Sequence, residues 1–395
     1  VVDDSREGPS GNRDYITLKF NTSGSLLWDR FYNGPGNSLD YARAVTVNQA
    51  GDVFVTGESR NAALNYDMTT VKYNAAGVQQ WVHEYHSGGS NADFGRDILT
   101  APDGFIYASG SSNNKLICIK YNPTTGIPVW QSILSSSTND AAFRIKYSAA
   151  DTTIVLGGSQ GYSGNFLTTK MSTGGSFLWQ AYYDSGNAYD NLGSVEVDDL
   201  GNVYTGGRSS LPGTPNYYEA KLIKYDPAGN QLWITSYSNG YSDGVADICI
   251  QDNGELAVSQ FSEFNNEYNI HTARYSTSGN EIWRDIFEGE GLSDDHGAKM
   301  ILDGDFNQII IGSTNGYGYN GTGYEDYALI KMDSLGNELW YSIYKHPGDG
   351  SDEPVDLVVD ANNNIYVTGY TSNAPSGGTY DITTVKYNSM GDTIW

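Results

Sequence analysis

The alternation of apolar and polar residues along the chain predicts short β-strands separated by turns. Residues 40–47 (Asp-Tyr-Ala-Arg-Ala-Val-Thr-Val) alternate with the period of two that is typical of a strand with one buried face. Three more apolar segments follow, separated by a variable loop and by turns that contain glycine or asparagine; they are 53–57, 67–73 and 78–85. Residues 40–85 therefore predict four antiparallel strands, and helical periodicity is found nowhere in the sequence.

This four-stranded unit recurs along the chain, and a tryptophan marks each copy. Each of the eight tryptophans has a glycine four residues before it and a basic residue nine or ten residues before it. The tryptophans are Trp28, Trp81, Trp130, Trp179, Trp233, Trp283, Trp340 and Trp395. The glycines are Gly24, Gly77, Gly126, Gly175, Gly229, Gly279, Gly336 and Gly391. The basic residues are Lys19, Lys72, Lys120, Lys170, Lys224, Arg274, Lys331 and Lys386.

The spacing of these copies predicts the fold class. Successive tryptophans are 49 to 57 residues apart. A four-stranded antiparallel unit that repeats at this interval is typical of the blades of a β-propeller. We therefore expect an all-β protein with a single β-propeller domain over residues 1–395, and we expect the tryptophans to pack between blades.

The number of blades depends on how the terminal segments are counted. The third and fourth predicted strands occur eight times, but the first strand occurs seven times, each copy opening with an aspartate. These aspartates are Asp40, Asp93, Asp140, Asp190, Asp243, Asp295 and Asp352. A seven-bladed propeller would leave residues 1–33 without partners, although they repeat the pattern of 368–395. We therefore favour eight blades with the first incomplete, and seven blades are the alternative.

Two segments resemble a known repeat. Residues 364–372 (Asn-Ile-Tyr-Val-Thr-Gly-Tyr-Thr-Ser) and 381–388 (Asp-Ile-Thr-Thr-Val-Lys-Tyr-Asn) are similar to the SBBP-type β-propeller repeat of secreted bacterial proteins. The resemblance implies the propeller fold and a location outside the cell or on its surface. It implies no activity, because the group shares no catalytic motif. Since both ends of the chain fall within predicted strands, we expect a fragment of a longer precursor, whose further domains would be partners.

The amino-acid composition, above all the excess of acidic residues, limits the kinds of molecule that the protein is expected to bind. The chain has 22 basic and 47 acidic residues, a net charge of -25 and a pI near 4.3. Such a surface repels nucleic acids and anionic membranes, so neither is an expected partner. A run of about 18 apolar residues, which a membrane-spanning helix needs, is absent from the sequence. Cys118 and Cys249 lie in apolar segments of different units, and we expect two free thiols.

Two kinds of charged residue recur in the repeat: the aspartate that opens the first strand and the basic residue that precedes the tryptophan. Each has a structural and a functional interpretation. The aspartates that open the first strands could form a ring of carboxylates that binds a cation, for which Ca²⁺ would be suited. The alternative, favoured because the feature recurs in every unit, is that they accept backbone N–H groups between blades. For the basic residue we expect an ion pair between strands or a stack on an aromatic ring, and the candidate ion-pair partner is the acid or amide five residues earlier. Those partners are Asp14, Asp67, Asn165, Glu219, Asn269, Asp326 and Asp381.

One acidic cluster could hold a metal ion. Asp294, Asp295 and His296 are consecutive and follow Glu288 and Glu290. They are the candidate metal ligands, although a solvated acidic loop is the favoured interpretation. Ca²⁺ is the cofactor to consider, and the sequence requires none. Motifs for zinc binding or for a catalytic serine are absent from the sequence.

The loop between the second and third strands varies most between units, and it directs the functional hypothesis. In three consecutive units it is long and rich in tyrosine, asparagine and glycine. The candidate ligand-binding residues are Tyr217, Tyr218, Tyr317, Tyr319 and Tyr324. Tyrosine side chains can stack on sugar rings and donate hydrogen bonds, and function concentrates on loops held by a rigid scaffold.

The leading hypothesis is therefore a non-enzymatic extracellular module that binds a glycan or a protein through one loop face. The first alternative is a polysaccharide lyase or hydrolase with Asp295, His296 and Asp352 at the central channel. The second is a structural spacer or assembly unit of a larger surface protein.

Overall fold

The fold consists of β-strands joined by turns. The computed structural model describes residues 1–5, 12–134, 140–161, 164–186, 189–211, 214–239, 241–264, 267–287, 295–315, 325–347, 350–372 and 380–395. These residues form strands β1–β30. Within them, no helix has the length and apolar character needed to cross a membrane.

The strands form eight sheets in the described ranges. The two sheets nearest the termini have three strands each: β1 (Val2–Ser5), β2 (Asp14–Phe20) and β3 (Leu26–Tyr32); β28 (Asp352–Val359), β29 (Ile365–Ser372) and β30 (Tyr380–Tyr387). The other six have four strands each: β4 (Asp40–Val47), β5 (Val53–Arg60), β6 (Tyr66–Tyr73) and β7 (Gln79–Tyr85); β8 (Asp93–Thr100), β9 (Ile106–Ser112), β10 (Lys115–Tyr121) and β11 (Pro128–Ile133); β12 (Asp140–Ser148), β13 (Thr153–Gln160), β14 (Asn165–Ser172) and β15 (Phe177–Tyr183); β16 (Asp190–Val197), β17 (Val203–Leu211), β18 (Thr214–Tyr225) and β19 (Gln231–Tyr237); β20 (Asp243–Ile250), β21 (Leu256–Phe264), β22 (Glu267–Tyr275) and β23 (Glu281–Phe287); β24 (Asp295–Leu302), β25 (Gln308–Asn315), β26 (Glu325–Met332) and β27 (Glu338–Tyr344).

The strands of each sheet lie in chain order and pair antiparallel. In the sheet β4–β7, Asp40 pairs with Ser59, and Lys72 pairs with Trp81. A β-bulge follows Lys72, and the same register shift follows the equivalent basic residue in the other paired third and fourth strands described. The nine-residue spacing in the sequence therefore places the basic residue and the tryptophan opposite each other on paired strands.

The chain divides into two compact units. Unit 1 comprises Val1–Asp184, Asp199–Gly201 and Pro227–Gly229; unit 2 comprises Ser185–Asp198, Asn202–Asp226 and Asn230–Trp395. Within unit 1, Phe54 and Trp81 of one sheet share a buried cluster with Ile98 and Ile117 of the next. Equivalent clusters join successive sheets in unit 2. This face-to-face packing of four-stranded antiparallel sheets is the arrangement of β-propeller blades, so the predicted fold class is confirmed.

The expected blade count of eight is not confirmed. The seven-blade alternative agrees with the number of sheets that contain a first strand, namely those that begin with β4, β8, β12, β16, β20, β24 and β28. In the described residues, the N-terminal sheet β1–β3 has the second, third and fourth strands of the repeat but no first strand. That the chain is a single domain, and that it is a fragment of a precursor, stay predictions.

The tryptophans join neighbouring sheets, as the sequence predicts. The indole N–H of Trp81 donates to the carbonyl oxygen of Pro123 at 3.2 Å, and Lys72 Nζ donates to the same oxygen at 2.8 Å. Pro123 lies in the turn between the third and fourth strands of the next sheet. Six further tryptophans make the equivalent bond, at 3.0 to 3.3 Å: Trp28, Trp130, Trp179, Trp233, Trp283 and Trp340.

Candidate functional site

The aspartates that open the first strands act as backbone acceptors where the structure describes their bonds. Each of five carboxylates accepts an N–H from the loop that precedes its strand, at 2.7 to 2.9 Å. These are Asp40, Asp93, Asp190, Asp243 and Asp352. Burial raises the pKa of Asp40, Asp243 and Asp352. The structural interpretation is thereby confirmed for these five residues.

The ion pair expected for the basic residue is present in five of the described sheets, but the partner expected from the sequence is wrong. Lys72 Nζ lies 2.8 Å from Asp52 Oδ2, in the turn that precedes the second strand, rather than next to Asp67. In four other sheets, the basic residue pairs with an acidic residue in the equivalent turn of its own sheet. The pairs are Lys120 with Asp103, Lys170 with Asp151, Arg274 with Glu255 and Lys331 with Asp303. The physical reason is strand alternation, since residues five apart on a strand point to opposite faces.

The sequence-predicted metal ligands cannot be placed as a site. Asp294, Glu288 and Glu290 lie outside the described residues. Asp295 and His296 begin β24, and the structure does not describe their side chains. The proposed Ca²⁺ therefore stays a prediction. Both cysteines are free, and Cys118 is fully buried, as expected.

Two of the five tyrosines chosen from the sequence lie within the described residues. Tyr217 is exposed at 39% and contacts the ring of Tyr241, with ring centroids 5.9 Å apart. The guanidinium carbon of Arg208 lies 4.9 Å from the ring centroid of Tyr218. The other three, Tyr317, Tyr319 and Tyr324, lie outside the described residues.

A second set of side chains in unit 1, which sequence reasoning missed, forms a continuous surface. We call it the arginine–aromatic cluster. It consists of Arg13, Tyr41, Arg43, Arg60, Tyr66, Phe94 and Arg96. The Tyr66 ring lies between the other two aromatic rings, 6.1 Å from Tyr41 and 5.8 Å from Phe94.

Each ring of the cluster carries an arginine within cation–π distance. Arg43 lies 5.1 Å from the centroid of Tyr41, and Arg60 lies 4.8 Å from that of Tyr66. Arg96 lies 5.0 Å from that of Phe94. Guanidinium groups at these distances are attracted to the faces of the rings, so each pair holds the other in place.

The repeat explains how the cluster is assembled. Tyr41 and Arg43 follow the aspartate that opens β4, and Phe94 and Arg96 occupy the same positions on β8. Among the seven first strands, only these two have an aromatic residue after the aspartate and an arginine two positions later. That departure from the repeat, Asp-Tyr-Ala-Arg and Asp-Phe-Gly-Arg, is the signal in the sequence that could have identified the site.

A buried carboxylate lies next to two arginines of the cluster. Glu58 beneath the cluster is 2% exposed, and its Oε1 lies 3.0 Å from Arg43 Nε and 3.9 Å from Arg96 Nη1. Burial lowers the pKa of Arg96. Within the described residues, the Nε atoms of Arg60 and Arg96 are buried without a hydrogen-bond partner. Glu58 thus faces the guanidinium groups of Arg43 and Arg96, and the Nε donors of Arg60 and Arg96 are unsatisfied in the described residues.

One group in the described residues has the geometry to hold a metal ion. It consists of Asp67, His86 and Asp93, whose candidate ligand atoms lie within 4.8 Å of one another. Asp67 and Asp93 are adjacent in the chain to Tyr66 and Phe94 of the cluster. The group differs from the metal cluster that the sequence suggested.

The arrangement of the sheets defines a β-propeller protein. Residues 348–375 match the family described as a beta-propeller repeat, SBBP, which confirms the resemblance seen in the sequence. A curated relative is an uncharacterized WD repeat-containing protein of Acanthamoeba polyphaga mimivirus, 23% identical over 93% of this chain. The alignment covers 32% of that relative, so the chain spans about a third of its length.

Solved structures support the fold alone. The dihydro-heme d1 dehydrogenase NirN in complex with DHE has a TM-score of 0.58 and 10% identity, covering 99% of this chain and 71% of its own. The Dos1 propeller has a TM-score of 0.53 and 9% identity, covering 89% of this chain and 78% of its own. A puromycin-hydrolyzing peptidase of Mycobacterium tuberculosis has a TM-score of 0.53 and 10% identity, covering 89% and 52%.

Proposed function

We propose that the protein is an extracellular, non-enzymatic binding module whose arginine–aromatic cluster recognises a glycan that carries carboxylate groups. The observation that carries this proposal is the cluster itself: three aromatic rings in series, each with a guanidinium group over its face. In the sequence-derived hypothesis the contact residues were tyrosines of unit 2. The proposed site instead lies in unit 1.

The chemistry of the cluster suits an acidic sugar. Guanidinium groups bind carboxylates through two parallel hydrogen bonds, and the guanidinium groups of Arg43, Arg60 and Arg96 all lie at the rings of the cluster. The half-buried rings of Tyr41, Tyr66 and Phe94 add apolar contact area beside the guanidinium groups for the C–H groups of a sugar ring. A neutral glycan would use the rings but would leave the guanidinium groups without a carboxylate.

The charge of the whole chain supports a specific anion site. Four of the 22 basic residues belong to the cluster, Arg13, Arg43, Arg60 and Arg96, in a chain with a net charge of -25. An acidic glycan would be repelled by most of such a surface. A group of four arginines would therefore favour one position for the ligand.

The buried position of Asp352 favours binding over the enzyme alternative. Its side chain is fully buried, and its carboxylate accepts the backbone N–H of His346 at 2.7 Å. A carboxylate that is engaged in this way is poorly placed to act on a polysaccharide. The calorimetric titration described next distinguishes the spacer alternative, because a structural spacer would bind neither oligosaccharide.

Calorimetric titration with oligogalacturonate and with a neutral galactose oligosaccharide tests the proposal. We expect binding of the acidic oligosaccharide and a loss of at least tenfold in affinity in Arg60→Ala and in Arg96→Ala. The matched control is Arg30→Ala, since Arg30 also lies over a ring, 5.7 Å from the Trp28 centroid, but outside the cluster. EDTA in all buffers removes metal ions. Equal loss in the control, or equal binding of both oligosaccharides, would refute the proposal.

A further inference from the structure

A pair of aspartates recurs at the junction between neighbouring sheets. One lies at or next to the start of a third strand, and the other opens the first strand of the following sheet. Three junctions have such a pair: Asp14 with Asp40, Asp67 with Asp93, and Asp326 with Asp352. Burial raises the pKa of Asp40 and of Asp352, and the negative charge of the partner aspartate adds to this effect. The two carboxylates of a pair therefore repel each other.

A lysine supplies positive charge to one of these pairs. Lys345 directly follows β27, and its Nζ lies 3.1 Å from Asp326 Oδ2. Asp326 is the partner of Asp352 at this junction. A cation at the position of Lys345 Nζ therefore offsets the repulsion between two carboxylates that are largely removed from water.

A histidine takes the place of the lysine in the pair formed by Asp67 and Asp93. His86 directly follows β7, at the position equivalent to Lys345, and its Nδ1 lies 2.9 Å from Asp67 Oδ1. One ligand atom from each of Asp67, His86 and Asp93 lies within 4.8 Å of the other two. The His86 side chain is 40% exposed, so an ion can reach the group from solvent.

The carboxylate of Asp93 has unused bonding capacity. Its Oδ2 accepts the backbone N–H of Ser87 at 2.8 Å, but its Oδ1 is buried and has no hydrogen-bond partner in the described part of the chain. Asn61 Nδ2 lies 3.2 and 3.1 Å from the two oxygens of Asp67 and orients that carboxylate. A buried carboxylate oxygen without a partner is costly, and coordination to a cation would satisfy it.

We propose that Asp67, His86 and Asp93 bind a divalent transition-metal ion, with Zn²⁺ as the best-suited ion. One imidazole nitrogen and two carboxylate oxygens are ligands that Zn²⁺ accepts, whereas Ca²⁺ takes oxygen ligands. Ligands bonded at about 2.0–2.2 Å in a tetrahedral site lie roughly 3.3–3.5 Å apart. The 2.9 Å between His86 Nδ1 and Asp67 Oδ1 would widen slightly, and separations of up to 4.8 Å to the Asp93 carboxylate would shorten by up to about 1.5 Å to reach this geometry.

The ion would fasten two neighbouring sheets of unit 1. Asp67 lies on β6, and His86 directly follows β7 of the same sheet. Asp93 opens β8, the first strand of the next sheet. Three protein ligands leave a fourth position for water on the exposed side of His86. The role is a structural one, and it does not depend on the proposed recognition of glycans.

Titration of the full, tag-free chain with ZnCl₂ after treatment with EDTA tests the site. We expect one zinc ion per chain by calorimetry and a rise in the melting temperature with zinc concentration. His86→Ala should weaken binding at least tenfold and should remove the rise in melting temperature. A wild-type chain that binds no zinc, or that binds it equally after His86→Ala, overturns the proposal.

Exchange of the two equivalent residues gives a matched pair of variants. His86→Lys copies the arrangement of Lys345 with Asp326, so it should abolish zinc binding while the melting temperature without metal is retained. Lys345→His should create a second site with Asp326 and Asp352 and should raise the stoichiometry from one zinc to two. Zinc binding that persists in His86→Lys overturns the proposal. A stoichiometry that stays at one in Lys345→His contradicts the role assigned to the aspartate pairs.

Discussion

Gly77 packs against the indole of Trp28 in the neighbouring sheet so closely that no side chain fits between them. A Cβ atom at position 77 would lie 2.7 Å from Cδ2 of the indole, and the φ angle of Gly77 is +78°. Gly77 lies four residues before Trp81, but it packs against Trp28, which is the tryptophan of the preceding sheet. The same contact recurs at Gly126, Gly175, Gly229, Gly279, Gly336 and Gly391. The Gly-x-x-x-Trp spacing thus encodes packing between sheets as well as a turn.

Gly77→Ala should destabilise the protein by about 2–4 kcal/mol, because it adds a steric conflict with the indole to the cost of a positive φ. The matched control is Gly104→Ala, where φ is +83° but nothing lies within 4 Å of the added Cβ. The control should cost only about 1 kcal/mol. Unfolding in urea measures both values. If the two substitutions cost the same, the contact with Trp28 has no energetic role.

Lys170→Met should lower the free energy of unfolding by about 2 kcal/mol, because it removes one partner of a buried ion pair. The Lys170 side chain is 1% exposed and its Nζ lies 2.6 Å from Asp151 Oδ2. Since Asp151 is 35% exposed, water relieves part of the cost of leaving it unpaired. Lys299→Met is the control, because Lys299 and Asp356 form a longer and more exposed pair. It should change stability by less than about 1 kcal/mol.

The stability contributed by Asp303 should depend on pH. Against the cost of burial, hydrogen bonds from Lys331 and Asn307 hold the pKa of Asp303 below its ordinary value of 3.8. Because the folded-state pKa is the lower one, this stability is present above pH 3.8 and is lost as the pH falls through the folded-state pKa. Asp303→Asn should therefore be more destabilising at neutral pH than in acid. An unfolding series in urea against pH measures the difference, and a penalty that is constant with pH contradicts it.

Tyr66→Ala should weaken binding of the acidic oligosaccharide at least tenfold, because it removes the ring between Tyr41 and Phe94 and the support for Arg60. Tyr66→Phe keeps the ring and should retain most of the affinity. Binding should also weaken as salt is added, because the charges of the cluster lie near the surface. Calorimetry at two ionic strengths measures both effects. Tyr217→Ala tests the site expected in unit 2, and a larger loss there would move recognition to those loops.

The repeat, the strand pattern and the fold class follow from the amino-acid sequence alone. Alternation with period two and a turn glycine identify a strand locally, because both act within a few residues. Each repeat of about 50 residues contains four such strands joined by short turns, so consecutive strands are expected to pair. Lys72 and Trp81 could therefore be placed on adjacent strands from their spacing alone. The resemblance to the SBBP repeat agreed with this pattern, and the match at 348–375 confirmed it.

Which side chains meet between sheets could be established only from the folded structure. Lys72 pairs with Asp52 and with the carbonyl of Pro123, and no spacing along one strand predicts either contact. The arginine–aromatic cluster combines first strands that lie one full repeat apart, and Asp67 reaches Asp93 across a sheet junction. The physical reason is range: hydrogen bonds, ion pairs and ring contacts act over a few ångströms. Residues of successive repeats are far apart in the sequence, and they come within a few ångströms of each other only when the sheets pack together.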